Sequence, residues 1–203
     1  MNMPVLRTIA KLCLPFVKLL CSVFYDKQYL VGKYFDESFS GWQWALKGIL
    51  WQKIFGFNRH IPWPASPFIN INSKKNIVFD INDINNFQTM GCYFQNFSAK
   101  IVIGKGTYIA QNVGIITANH DPQNPDDHLP GKDVTLGKQC WIGMNSMILP
   151  GVVLGDHTVV GAGSVVTKSF PEGHVIIGGN PAKIIRHLEI SREQNSNIHE
   201  DNA

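Results

Sequence analysis

The sequence predicts a mainly β solenoid of short strands, with a helical segment ahead of it and a short helix behind it. Three observations carry that prediction. Aliphatic residues recur every six positions at Leu136, Ile142, Ile148, Leu154, Val160 and Val166. The residue two before each (Val134, Cys140, Ser146, Val152, Thr158 or Ser164) is small or β-branched. A glycine follows four of the aliphatic residues, at Gly137, Gly143, Gly155 and Gly161. A period of six fits neither a helix nor a plain strand, but it suits a solenoid whose flat faces are each a short strand plus a turn. Side chains at i and i−2 of a strand point the same way, so both can enter the interior, and glycine suits the corner that follows. Three faces close one triangular coil of about eighteen residues, and neighbouring coils stack about 4.8 Å apart through parallel strand hydrogen bonds.

At 203 residues and 44% hydrophobic composition, the chain has room for one domain and an appendage. Three stretches divide it: a basic, aromatic helical segment over 1–60, the solenoid over 61–181, and a short helix with a polar tail over 182–203. The first stretch holds eight Lys/Arg against three acidic residues. Pro4–Phe24 reads as a helix interrupted at Pro15, with Arg7, Lys11 and Lys18 on one face. Trp42–Phe57 reads as a second helix, with Trp42, Trp44 and Trp51 beside Lys47 and Lys53. This composition suits peripheral contact with a membrane interface, and it equally suits packing on the solenoid or between copies. No folded nucleic-acid module is apparent, so nucleic acid is not expected as a partner. Nor is a cleavable leader or a membrane span expected: the first 24 residues lack a small-residue cleavage site, and no uncharged apolar run is long enough to cross a bilayer.

Ile61–Pro67, with three prolines, cannot continue a helix and marks the boundary. An irregular first coil follows, with Ile69 alternating with Ile71 and a short strand at Ile77–Phe79; the regular period is expected from Phe97 through Ile103, Ile109 and Ile115. Then the count breaks. Ile115 to Leu136 is 21 residues, and the intervening ANHDPQNPDDHLPGKD is polar with three prolines. A loop over about 119–133 therefore leaves the solenoid, and a loop thrown out of a strict repeat is where function concentrates. After Val166 the repeat ends, Ile176–Pro181 closes the last coil, Ala182–Ile190 reads as a short helix, and Ser191–Ala203 as a polar, disordered tail. Cys13, Cys21, Cys92 and Cys140 lack CxxC spacing and read as reduced and non-metallic, which favours the cytoplasm.

The run CWIGMNSMILPGVVLGDHTVVGAGSVVTKSFPEG, the closing GGNPAKIIR, and YFQNF followed by ITANHD resemble the left-handed parallel β-helix acyltransferases. The resemblance spans about residues 61–190 and is nearest to the maltose, galactoside and capsule or O-antigen sugar O-acetyltransferases. It implies a homotrimer with sites between subunits, acetyl-CoA as donor, no metal, and a sugar or glycan acceptor acylated on a hydroxyl or amino group. Surface polysaccharide biosynthesis in the cytoplasm, at the inner face of the membrane, would be the setting.

A sugar hydroxyl is too weakly acidic to attack a thioester unaided, so a base must take its proton, and a histidine suits this near neutrality. His120 matches the family's base, and Asp121 is a candidate to orient its imidazole. Asn96 matches the asparagine that holds the acceptor, with Asn119 and His128 as further acceptor contacts. Trp141 corresponds to an aromatic wall of the donor channel. Backbone near Gly143, Met144, Ala162 and Thr167 is expected along the pantetheine arm, and Lys168, Lys183 and Arg186 supply cations for the phosphates. Cys140 is an interior position, so transfer is expected to be direct. Two other readings stay open: a non-catalytic trimeric scaffold, and a metal-dependent hydratase on the same fold.

Overall fold

Each coil repeats the same packing problem, two inward side chains per face, and the chain solves it with fourteen short strands among the described residues. The computed structural model describes residues 3–189, with side chains from Cys13. The strands are β1 (Asn70–Ile71), β2 (Ile77–Val78), β3 (Tyr93–Gln95), β4 (Ile101–Ile103), β5 (Tyr108–Ile109), β6 (Gly114–Ile116) and β7 (Val134–Leu136). They continue as β8 (Trp141–Ile142), β9 (Met147–Ile148), β10 (Val153–Leu154), β11 (Val159–Val160), β12 (Val165–Val166), β13 (Val175–Gly179) and β14 (Ala182–His187). They form three sheets, in the orders β1-β3-β6-β9-β12, β10-β7-β4-β2 and β14-β13-β11-β8-β5. All pairings are parallel except that of β13 with β14.

The register puts like on like: Ile103 pairs with Leu136 and Leu136 with Leu154, while Ile109, Ile142, Val160 and Ile177 form another column. Every i−2 residue from Val134 to Ser164 is buried too. The interior hydroxyls are satisfied locally: Ser146, Thr158 and Ser164 each donate to the carbonyl three residues earlier, so polar side chains cost little here. The glycines after the aliphatic residues are needed for space. A Cβ on Gly137 would meet the Gly155 carbonyl carbon at 2.5 Å, and one on Gly155 the Pro171 oxygen at 2.2 Å. Left-handed backbone falls two residues later instead, at Gln139, Asn145 and His157.

Two expectations fail. Phe97 does not begin the period: its side chain is 45% exposed, and Phe94 takes the inward place by pairing with Ile115. Nine residues, not six, separate Phe94 from Ile103, so the corner at 96–99 bulges outward. The expected C-terminal helix is β14, which turns back at Gly179–Ala182 and pairs antiparallel with β13. Its β-branched Ile184 and Ile185 and the open edge of β13 outweigh the helical propensity of Ala182–Arg186. The tail 191–203 and the side chains of Arg7 and Lys11 lie outside the described residues.

Ahead of the solenoid, α1 (Met3–Phe24) contains Pro15, and α2 (Ser40–Gly48) continues as a wider helical turn over Ile49–Ile54. The prolines at 62–67 interrupt the secondary structure, but the core crosses them: Cys21, Tyr25, Phe35, Trp42 and Ala45 belong to one buried cluster with the solenoid interior. Trp63 is the junction, with ring centroids 5.1 Å from Tyr29, 5.1 Å from Phe79 and 5.4 Å from Phe87. Gln52, fully buried, pins the segment: its Nε2 lies within hydrogen-bond distance of the Asn58, Ile61 and Trp63 carbonyls, and its Oε1 accepts from the Ala65 N–H. The first coil would otherwise leave its aromatic end open to water, so part of the helical segment serves as a cap.

Candidate active site

The extruded loop leaves between the first and second sheets and is closed at its root. The Leu129 N–H donates to the Asn119 carbonyl (2.9 Å), the Asp121 N–H to Asp127 (2.9 Å), and His120 faces His128 in an antiparallel bridge. On the return, the Lys132 N–H donates to the Thr117 carbonyl (2.8 Å). This hairpin-like closure fixes the backbone of His120 at the edge of the solenoid while leaving its ring exposed.

His120 Nδ1 lies 2.6 Å from the Pro125 carbonyl oxygen. A carbonyl can only accept, so Nδ1 carries the proton and Nε2 presents its lone pair outward. The His128 ring sits 4.2 Å from that of His120, centroid to centroid, and meets the edge of Phe97 at 5.4 Å. Phe97 is therefore a site neighbour that counting missed, because the outward bulge of its corner brings it beneath the loop. The Pro125 carbonyl was missed as well, since backbone groups leave no residue-type signal beyond the turn-forming Asn124-Pro125 pair.

Two of the expected site residues have other hydrogen-bond partners in this copy. Asp121 does not touch the imidazole. Its Oδ1 accepts from the Gln123 N–H (2.8 Å), the short-range turn that aspartate favours, and Pro125 does the orienting. Asn96 is fully buried: its Oδ1 accepts from the Ser73 N–H (2.8 Å) and its Nδ2 donates to the Ser73 carbonyl (2.7 Å). It clamps two coils together. Asn119, by contrast, is exposed and lines a shallow pocket with Leu129, Lys132, Leu149 and Thr167.

The donor-side residues fall into two groups. Trp141, 58% exposed, lies on the outer face of the third sheet in a row with Tyr108, Val159, Ile176 and Arg186. Lys183 is on the same terminal strand, opposite Gly178. Met144 and Ala162 are exposed at the corner between the third and first sheets. Gly143 beside them is buried, its N–H donating to Val160 (2.8 Å) and its carbonyl accepting from Ser146, so its part is to let coils approach, with no free amide to offer. Thr167 and Lys168 are exposed at the far edge of the first sheet, the side on which the loop emerges, and Lys168 Nζ is 5.8 Å from the Phe170 ring centroid.

One copy thus places His120 and the Met144–Ala162 corner at opposite edges of the first sheet. Burial pushes the Cys140 thiol up, and its sulfur is near the Gly155 carbonyl (3.3 Å), which suits a core residue and not a nucleophile. Among the described residues no three His, Cys, Asp or Glu side chains converge as a metal site.

Residues 133–168 match the family of bacterial transferase hexapeptide proteins, six repeats. Among curated proteins, the galactoside O-acetyltransferase of Escherichia coli (strain K12) is 34% identical over 105 residues, 47% of this chain and 51% of that protein. A candidate colanic acid biosynthesis acetyltransferase of the same strain, WcaF, is 38% identical over 87 residues, 43% of this chain and 47% of that protein. The chain spans about half the length of these curated relatives. Among solved structures, the hexapeptide-repeat acetyltransferase VCA0836 of Vibrio cholerae O1 biovar eltor, in complex with acetyl-CoA, aligns with a TM-score of 0.53 and 29% identity, covering 62% of this chain and 67% of that one.

Proposed function

We propose that this chain, a left-handed parallel β-helix with a match to the bacterial transferase hexapeptide family, moves an acetyl group from acetyl-CoA to a sugar hydroxyl. The observation that carries the reading is the contact of His120 Nδ1 with the Pro125 carbonyl: with Nδ1–H given to Pro125, Nε2 of this exposed ring is the acceptor a general base needs. In the reaction the acceptor hydroxyl gives its proton to Nε2 as its oxygen bonds the thioester carbonyl carbon. The carbon–sulfur bond then breaks, and the proton held by His120 leaves with the coenzyme A thiol. The Pro125 carbonyl keeps the ring oriented. Trp141, Met144, Ala162, Thr167, Lys168, Lys183 and Arg186 are the residues assigned to the donor, the cations for its phosphates. Asn119 and Phe97, both beside the loop root, are assigned to the acceptor.

The active unit is a homotrimer in this reading. Because His120 and the Met144–Ala162 corner occupy opposite edges of one sheet, a complete site needs the edge of one copy against the other edge of the next, as a heterologous ring supplies. The acceptor is a sugar of a surface polysaccharide, a reading supported by the likeness to galactoside and colanic acid enzymes.

The test is thioester consumption with acetyl-CoA against free, nucleotide-linked and lipid-linked sugars. His120→Ala is expected to lower turnover by about 10² to 10⁴ with coenzyme A binding retained. Near-normal turnover of the variant removes His120 from the role. Light scattering that gives a monomer across dilution removes the shared site.

A further inference from the structure

A helix docked on a protein body by one face ordinarily turns charged and polar residues to water on the other. The run 42–57 does not. Its inner face is Trp42, Ala45, Gly48 and Gln52, all buried, with the Trp42 indole N–H donating to the Phe35 carbonyl (2.9 Å). Its outer face is Leu46, Leu50, Trp51, Ile54 and Phe55, followed by Phe57, each between 39% and 59% exposed. Trp51 and Phe55 lie with ring centroids 5.3 Å apart, so they form one aromatic surface. On α1, Phe16, Leu19 and Val23 add a second exposed stripe at helical spacing. Eleven large apolar side chains are exposed within residues 13–57, against twelve over the much longer stretch 58–189. The excess is local to the helical segment, and the caps and anchors described above do not use it.

The cations around this face are what decide its occupant. Lys47 is exposed within it, and Lys18 and Lys27 are exposed nearby on the same segment. The Arg59 guanidinium donates to the Ile54 carbonyl (2.7 Å) at its far end. The segment carries eight basic residues and three acidic ones. Two copies meeting through such a face would bring like charges together, whereas an anionic bilayer is attracted by the exposed Lys18, Lys27 and Lys47, and its interface accepts Trp, Phe and Leu side chains to a shallow depth. No helix among the described residues is long and apolar enough to cross a membrane, which fits contact in the plane of the surface. We propose that the outer face of residues 46–57, with the α1 stripe, docks on an anionic phospholipid surface. The contact is independent of the acetyl-transfer chemistry, and it would hold the solenoid reversibly at the interface.

The test is flotation of the full chain with vesicles of phosphatidylglycerol and phosphatidylcholine, against phosphatidylcholine alone, at low and high salt. The chain should rise with the anionic vesicles at low salt and be released at high salt. Replacing Lys47 by Ala should weaken partitioning roughly fivefold, and the pair Ile54→Glu and Phe55→Glu should abolish it. Val78→Glu, equally exposed on the second sheet, serves as the control and should float as the parent does. Circular dichroism melting of each variant establishes that it is folded. An intact chain that stays at the bottom of the gradient at low salt overturns the proposal. So does an Ile54→Glu/Phe55→Glu variant that floats normally but changes mass in light scattering, which would make the face a contact between copies.

Discussion

Leu136 and Leu50 are the same residue put to opposite uses. Leu136 is stacked between Ile103 and Leu154 and is fully buried, while Leu50 is 45% exposed on the helical segment. In the solenoid every inward aliphatic position of the repeat is consumed by closure, so nothing on its inner faces is left to interpret except packing. In the helical segment the anchoring is done by a few residues, Trp42, Ala45, Gln52 and the aromatics around Trp63, and the remaining apolar side chains are surplus to it. Where apolar surface exceeds what folding requires, it points to a partner, and where it matches, it does not.

The sharpest way to break this contrast is to truncate both leucines. Leu136→Ala should cost about 2–5 kcal/mol, because neighbouring coils hold the cavity open. Leu50→Ala should change stability by no more than about 0.5 kcal/mol. Thermal or denaturant unfolding of the two variants checks both, and a Leu50→Ala loss comparable to that of Leu136→Ala would mean that the outer face of the helix is structural.

Next in size is the anchor. Gln52→Ala removes the contacts to the Asn58, Ile61 and Trp63 carbonyls and the Ala65 N–H, and should cost about 2–3 kcal/mol, since the Trp63 carbonyl and the Ala65 N–H lose the partner that Gln52 supplies. Hydrogen exchange should quicken over residues 40–65 while the coils from β6 to β12 keep their protection. Equal loosening of those coils would show that the cap and the solenoid unfold as one unit, and the distinction between the two regions would then be one of surface only.

The same contrast explains what could be read from the sequence. Inward positions of the solenoid recur because each coil repeats the geometry of the last, so a count in sixes finds Leu136 through Val166 without knowledge of any contact. Counting fails where the register slips, as at Phe97, because an apolar residue in step looks the same as one that belongs there. It fails again at Ala182–His187, whose residues tolerate helix and strand alike until the free edge of β13 chooses. At the candidate site the proposed base, His120, is legible from its place at the break in the period. Its orienting partner is not, because that partner is a backbone carbonyl. Asn96 is assigned an acceptor role by its match to the family's asparagine, yet its side chain in this copy is held by the coil beneath it, at Ser73. The helical segment was the least legible: its tryptophans looked alike, and only the fold separates Trp42, buried as an anchor, from the exposed Trp51.

The smallest expected effect concerns a charge that crosses the boundary between the two regions. Lys53 lies on the helical segment, but its Nζ donates to the Ile61 carbonyl (2.7 Å) and the Arg59 carbonyl (3.2 Å), 4.7 Å from the Tyr25 ring centroid. Burial lowers its pKa from 10.5 to about 8, with Asp26 opposing the shift and Lys74 adding to it. The folded-state value lies below the unfolded one, so between these two values the unfolded chain binds more protons, and stability rises with pH across that window. Below the folded value both states are charged, and the cost of holding the ammonium in the cap is present in full. Burial pushes the Tyr25 phenol up, which acts in the opposite sense at higher pH, so the clean interval for measurement ends below pH 10. Lys53→Met removes the titrating group, and the parent should gain stability relative to this variant as pH is raised from about 7.5 to 9.5, by well under the full shift because the side chain is only half-buried. Parallel stability curves for parent and variant would mean that water reaches Nζ freely, and that the cap is looser around Lys53 than its two carbonyl contacts imply.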